Sequence, residues 1–281
     1  MSRQVHNLKS EHQTAIVKLL SSLEGRQSRW QIWQDFITMS AISISNCVDA
    51  VHREEREKSF AAIGKRYSEK EKNVIAQMFA EIVNGMESNP DQDFLGELFM
   101  GLELGNDWVG QFFTPYSVCR AMAAMSYTDN FKADVDAKGW VDVSDPACGA
   151  GALLLAFANE CRRRGVNFQT SVLFVAQDLD LLAGLMCYIQ LSLLGCPGYV
   201  VIGDSLAHPS TSYDDRGLLP RDRDIWYTPM FCSGTWTGRR RIAEFSLLML
   251  KENLTPAQPE PAAPVPAAEL EETESGQFTF F

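Results

Sequence analysis

The run VDVSDPACGAGALLL, residues 141–155, constrains the fold more than any other stretch of the chain. Apolar residues in alternation end at Asp145, a turn of small residues carries Gly149 and Gly151, and an apolar helix follows at once. Strand, glycine turn and helix in immediate succession form the unit that brings a nucleoside cofactor close to main-chain amides. Glycine suits the turn because a side chain there would stand in the way. The spacing is not GxGxxG, and Asp145-Pro146 precedes the turn, so the run is not the dinucleotide fingerprint.

The same alternation continues on both sides of this unit. Strand signals lie at 141–144, 171–177, 199–204 and 224–227, with helices at 151–163, at 180–194 closed by Gly195, and at about 242–253. This order predicts an α/β fold, a Rossmann-like parallel sheet with crossover helices, spanning 109–254. Residues 1–108 read instead as a helical amino-terminal domain, with helices at 11–23, 30–45 and 93–104. Ser68 and Glu71 form a capping box ahead of KNVIAQMFAEIV, and Trp30 and Trp33 read as core.

Residues 255–276 are rich in Pro, Ala and Glu and predict an extended acidic linker, because they offer too little apolar surface to offset ordering entropy. The last residues, 277–281, break that composition with QFTFF. The seven cysteines include no CxxC pair, which suggests neither a disulfide framework nor a metal site. No apolar run reaches membrane-spanning length and the amino terminus lacks a signal-peptide core, so the sequence predicts a cytoplasmic protein.

The net charge of −11 falls to −6 once the five Glu of 255–281 are set aside, which still disfavours broad contact with nucleic acid. Contact with DNA would need local basic clusters or a partner. Arg162-Arg163-Arg164 and Arg239-Arg240-Arg241 are the candidates, the first reading more simply as a solvated helix face.

Four segments occur in a telling order: GQFFTPYSV (110–118), DPACGAG (145–151), AQDLD (176–180) and IGDSL (202–206). Together they resemble the adenine-specific DNA methyltransferases, in the form found in type I restriction-modification subunits. The resemblance implies S-adenosylmethionine as cofactor. It implies that Phe113, Thr114 and Pro115 close over the cofactor and that Asp145 faces its ammonium. Main-chain amides around Ala147, Gly149 and Gly151 would approach it. Asp178 would take the ribose hydroxyls, Asp204 the adenine amino group, and Leu206 would pack on the ring. Locally, Thr114 also reads as a helix N-cap with Pro115 in the first turn, and Asp180 as the cap of the helix after it.

The same family holds the target base with NPPF or a close variant after its fourth strand. Here DIWYTPMF (224–231) offers Thr228, Pro229 and Phe231 as catalytic counterparts, with a hydroxyl in place of the amide or carboxylate. A rearranged loop over 207–240 is the alternative. The resemblance thus implies transfer of a methyl group to adenine in DNA, or a catalytically impaired regulator or decoy of a modification complex. Implied partners are DNA, a specificity or other modification subunit, and the bacterial sliding clamp, since Gln277–Phe281 resembles its QLxLF ligand peptide.

Overall fold

The computed structural model describes residues 8, 10–102, 113–253, 270–272 and 278–280. The chain divides into two compact units, Met1–Ala243 and Glu244–Phe281.

Five helices open the first unit: α1 (Glu11–Leu23), α2 (Arg29–Ser45), α3 (Arg53–Gly64), α4 (Glu69–Ser88) and α5 (Phe94–Gly101). The starts of all but α3 are written in the sequence as side-chain acceptors for first-turn amides. Ser10, Ser28 and Asp93 cap α1, α2 and α5, and Ser68 with Glu71 makes the full capping box of α4. The apolar faces of these helices, including Ile16, Leu20, Trp33, Phe36, Met78 and Ile82, are buried. They belong to one continuous core with the sheet, so the helical segment is a layer of this unit and shares its hydrophobic interior.

Two helices, α6 (Tyr116–Ser126) and α7 (Asp129–Lys138), lead into β1 (Val141–Asp145), α8 (Ala152–Arg163), the short α9 (Phe168–Ser171) and β2 (Val172–Asp178). Then follow α10 (Leu181–Leu194), β3 (Gly198–Ile202), β4 (Ile225–Tyr227) and α11 (Gly234–Asn253), the last crossing into the second unit. Asp180 accepts the Ala183 amide to start α10, and Gly195, with φ 77°, closes it. Because α10 is apolar on every side, it is buried along most of its length between the sheet and the amino-terminal helices.

The sheet has the order β1-β2-β3-β4. β1, β2 and β3 run parallel, as the alternation predicts, whereas β4 is antiparallel to β3, with Tyr199 opposite Tyr227. This corrects the expectation of a fourth parallel strand. Residues 203–224 contain no crossover helix: Ser212 bridges Pro220, and the Ile202 amide bonds the Asp224 carbonyl, so the chain re-enters the sheet from the edge at which it left.

One face of the sheet, with Val143, Phe174 and Val200, lies against the helices. The other is a second core of Trp140, Leu173, Tyr199, Val201, Ile225, Phe231 and Trp236. The outer edge of β4 is closed by Arg56, buried on Trp226 at 3.8 Å and donating to the Ile225 carbonyl at 2.7 Å and to Asp49 at 2.7 Å. β1 is the other edge strand. In its parallel ladder Val141, Val143 and Asp145 bond to β2, which turns the main-chain groups of exposed Asp142 and Ser144 outward.

In the second unit, β5 (Leu270–Glu272) pairs antiparallel with β6 (Phe278–Phe280). The rest of the expected linker 255–276, as well as Gln277 and Phe281 of the expected peptide, lies outside the described residues.

Candidate cofactor site

Three parallel strands end side by side in acidic residues: Asp145 closes β1, Asp178 closes β2, and Asp204 stands two residues beyond β3. The glycine turn after β1 is stitched to the end of β2. Cys148 donates its amide to the Gln177 carbonyl at 3.0 Å, and Gly149 donates to the Asp178 carboxylate at 2.8 Å. The second Asp178 oxygen accepts the Asp180 amide at 2.9 Å, yet each oxygen keeps a further lone pair for a hydroxyl donor.

Asp145 accepts the Ala147 amide at 3.1 Å on one oxygen. Burial raises its carboxyl above the ordinary range; the Ala147 hydrogen bond opposes this, and the nearby charge of Asp178 adds to it. A positively charged group beside this pair would relieve both effects. Asp204 is exposed and held low by the amides of Ala207 and Leu206, while Leu206 itself is 95% exposed.

The glycines make room for the protein itself. Gly149 has φ 54°, and a Cβ there would stand 3.0 Å from the Phe113 ring; at Gly151, with φ 93°, it would stand 2.8 Å from Cys187 Sγ. The amides expected to approach a cofactor are engaged within the turn: Ala147 with Asp145, Gly149 with Asp178, and Gly151 with the Cys148 carbonyl at 2.8 Å. What Ala147 and Gly149 present is therefore a low surface of small residues beside Phe113, rather than open donors, and Gly151 is buried.

Phe113 also packs on Phe99, ring centroids 5.5 Å apart, so it joins α5 to the turn. Exposed Thr114 and Pro115 line a cleft of about 790 Å³ together with Asp91, Asp93 and Arg120. Thr114 does not cap α6. Pro115 occupies the N-cap position with an extended ψ of 135°, and its carbonyl accepts the amides of Val118 and Cys119. Gly110, Gln111 and Phe112 of the first motif lie outside the described residues.

Sequence reading misses Asp93 and Gln190. The buried Gln190 amide donates to Asp93 and to the Ala150 carbonyl, both at 2.8 Å, and its oxygen accepts the Leu95 amide at 3.0 Å, tying α5 to the glycine turn. Burial pushes the Asp93 carboxyl up to about 6, against the lowering effect of Gln190 and the Gly96 amide. The available signals were an Asp ahead of FLGELFMG and a single amide in the apolar α10.

The structure does not bring Thr228, Pro229 and Phe231 to this edge. Since β4 runs antiparallel, it ends where β3 begins: the Thr228 amide donates to the Gly198 carbonyl at 3.0 Å. The fully buried Thr228 hydroxyl accepts the Gly198 amide at 3.0 Å and donates to the Cys196 carbonyl at 2.7 Å. Pro229 offers its carbonyl to Cys232 at 3.2 Å. Phe231 is 0% exposed and stacks on Tyr227 at 5.9 Å. The length of β3, roughly 13 Å at ~3.3 Å per residue, separates these residues from the acidic edge.

Fold and site together define an α/β domain whose carboxyl edge carries a glycine turn and strand-terminal carboxylates. Residues 103–245, just over half of the chain, match the family model described as N-6 DNA methylase, and the chain belongs to that family. No curated protein sequence matches it.

Among solved structures it is similar to a protein described as a class I S-adenosylmethionine-dependent methyltransferase from Listeria monocytogenes, with 17% identity, TM-score 0.39, and coverage of 78% of this chain and 67% of that one. It is also similar to the type I restriction-modification system methyltransferase subunit from Streptococcus thermophilus, with 15% identity, TM-score 0.39, and coverage of 74% and 46%. The chain thus spans less than half the length of that subunit. Among the described residues, no helix is long and apolar enough to cross a membrane.

Proposed function

We propose that this chain binds S-adenosylmethionine at the carboxyl edge of β1, β2 and β3 and takes part in methylating the exocyclic amino group of adenine in DNA, within a cytoplasmic restriction-modification context. The observation that carries the reading is the Asp145–Asp178 pair. Two carboxylates, one of them raised by burial and by the other's charge, flank a turn of small residues, and neither makes an ion pair among the described residues.

An ammonium fits against Asp145, ribose hydroxyls against the remaining lone pairs of Asp178, and an adenine amino group against Asp204. Leu206 is free to cover the ring, and Phe113, Thr114 and Pro115 bound the opposite side. When bound, the cofactor supplies an electrophilic methyl group; the protein's part is to orient it, which accounts for much of the rate in a direct displacement.

Thr228 fastens β4 to β3 and Phe231 belongs to the second core, so on this reading other groups receive the adenine. Among the described residues β1 is a free edge of the sheet, and its outward main-chain groups at Asp142 and Ser144 suit pairing with a strand of a specificity or other modification subunit. The carboxyl-terminal Gln277–Phe281 is proposed to dock on the sliding clamp. Its deletion should abolish co-elution with the clamp.

Calorimetry with S-adenosylmethionine, followed by incubation of labelled cofactor and DNA with and without the partner subunit, tests the main reading. Absence of cofactor binding sinks it. Binding without any label in adenine favours a second reading, a cofactor-bound regulator, which the remoteness of Thr228–Phe231 supports.

A further inference from the structure

The edge of the sheet opposite the acidic residues carries three guanidinium groups, each laid on an aromatic ring. Arg216 sits 3.7 Å over Trp140, Arg239 4.5 Å over Trp236, and Arg240 4.7 Å over Phe231. Arg216 donates to the Trp140 carbonyl at 2.6 Å, and Arg239 to those of Thr170 at 2.7 Å and Gly139 at 3.2 Å. Arg240 reaches the Thr237 hydroxyl at 3.5 Å, and its buried Nε has no partner.

Among the described residues none of the three pairs with a carboxylate, in a chain of net charge −11. Asp214, close by in the chain, gives its oxygens to the Ser212 hydroxyl and the amides of Arg216 and Leu219. Burial and then the like charge of Arg216 both weigh against the charge on Arg239. The other arginine run behaves differently, since Arg163 pairs with Asp91 and Glu160, and Arg164 with Glu160.

We propose that Arg216, Arg239 and Arg240, held on Trp140, Trp236 and Phe231, form a binding site for the phosphodiester backbone of duplex DNA. Stacking fixes the plane of each guanidinium, and the N–H groups not spent on these carbonyls and on Thr237 remain for phosphate oxygens. Three such charges held near one another without a counter-ion are stabilised by an anion that carries several. Trp140 stands five residues before Asp145, roughly 16 Å away along β1, and a duplex turn of about 34 Å spans both edges. The site rests on the reading of the chain as one that acts on DNA, and it is tested apart from the cofactor.

The test is fluorescence anisotropy of a short labelled duplex with the full chain across a salt series. The triple variant R216Q/R239Q/R240Q should lose about tenfold or more in affinity at low salt, and its salt slope should shrink by about 2–3, one phosphate contact accounting for about 0.9. Lysine at the three positions should restore most of the slope. Where the triple variant does not fold, R240Q alone should shrink the slope by about 1.

Unchanged affinity and slope in a folded variant, or no duplex binding by the wild type, overturns the proposal. So does arginine-dependent binding of a polyglutamate peptide in place of the duplex, which would mark the surface as a dock for an acidic protein. Cofactor calorimetry on the same samples reads the other edge: its failure would strike the proposed function, while the duplex titration would still judge the arginine site.

Discussion

The hydroxyl of Thr228 accepts the Gly198 amide at 3.0 Å, where β4 ends and β3 begins. That bond makes Thr228 a fastener of the sheet. Thr228→Val leaves the buried Gly198 amide and Cys196 carbonyl without this partner, at a cost of about 1–3 kcal/mol. Urea denaturation should show the loss with cofactor affinity unchanged. Thr228→Asn should yield no adenine methylation beyond that of the wild type, and new activity gained by that variant would restore Thr228 to the reaction.

Gly151 and Cys187 are mutually exclusive with a β-carbon between them, since that atom would lie 2.8 Å from Cys187 Sγ. Gly151→Ala combines this clash with a left-handed φ of 93°, and should cost on the order of 1–3 kcal/mol. Adding Cys187→Ala should recover the steric part only. Full recovery in thermal melts would mean that the backbone conformation carries no strain.

Asp145→Asn should separate binding from stability. The folded protein holds the Asp145 proton to higher pH than the unfolded chain does, so this group's contribution to stability declines as pH rises through that raised range. The amide variant escapes the decline and should melt no lower than the wild type near neutral pH. Its affinity for S-adenosylmethionine should fall by about tenfold or more, through loss of a charge-assisted bond to the ammonium. Equal affinity in calorimetry would remove Asp145 from the site.

Asp93 gives a sharper pH window. Its carboxyl is raised to about 6 from an unfolded value near 3.8, so the folded state binds the extra proton and loses stability as pH climbs between them. Above that window the loss is on the order of 2–3 kcal/mol. Asp93→Asn keeps an acceptor for Gly96 and Gln190, and should raise the melting temperature at neutral pH with the advantage fading below about pH 4. Parallel melting curves across the window would show that Asp93 does not titrate there.

Much of the local structure was legible because it has local causes. The capping box at Ser68 marks the start of α4, and the Asp180 cap and the Gly195 stop place α10 within a residue or so of the sequence reading. The short apolar runs likewise locate β1 to β4. α3 and α7, with weak apolar periodicity and no side-chain cap bond, gave no such signal. Asp145, Ala147, Gly149 and Asp178 come together because the turn and two adjacent parallel strands leave little freedom in placing them.

By itself, then, the sequence determined the order of strands and helices, the glycine turn and the acidic strand ends, all set by short-range periodicity, capping and turn chemistry. Tertiary structure alone decided the direction of β4, the use of the glycine space by Phe113 and Cys187, and which arginines go unneutralised. Each of these depends on contacts between residues far apart in the chain. A three-residue strand reads the same in either direction, and only the route of residues 203–224 back to the edge they left sends Thr228 away from Asp145.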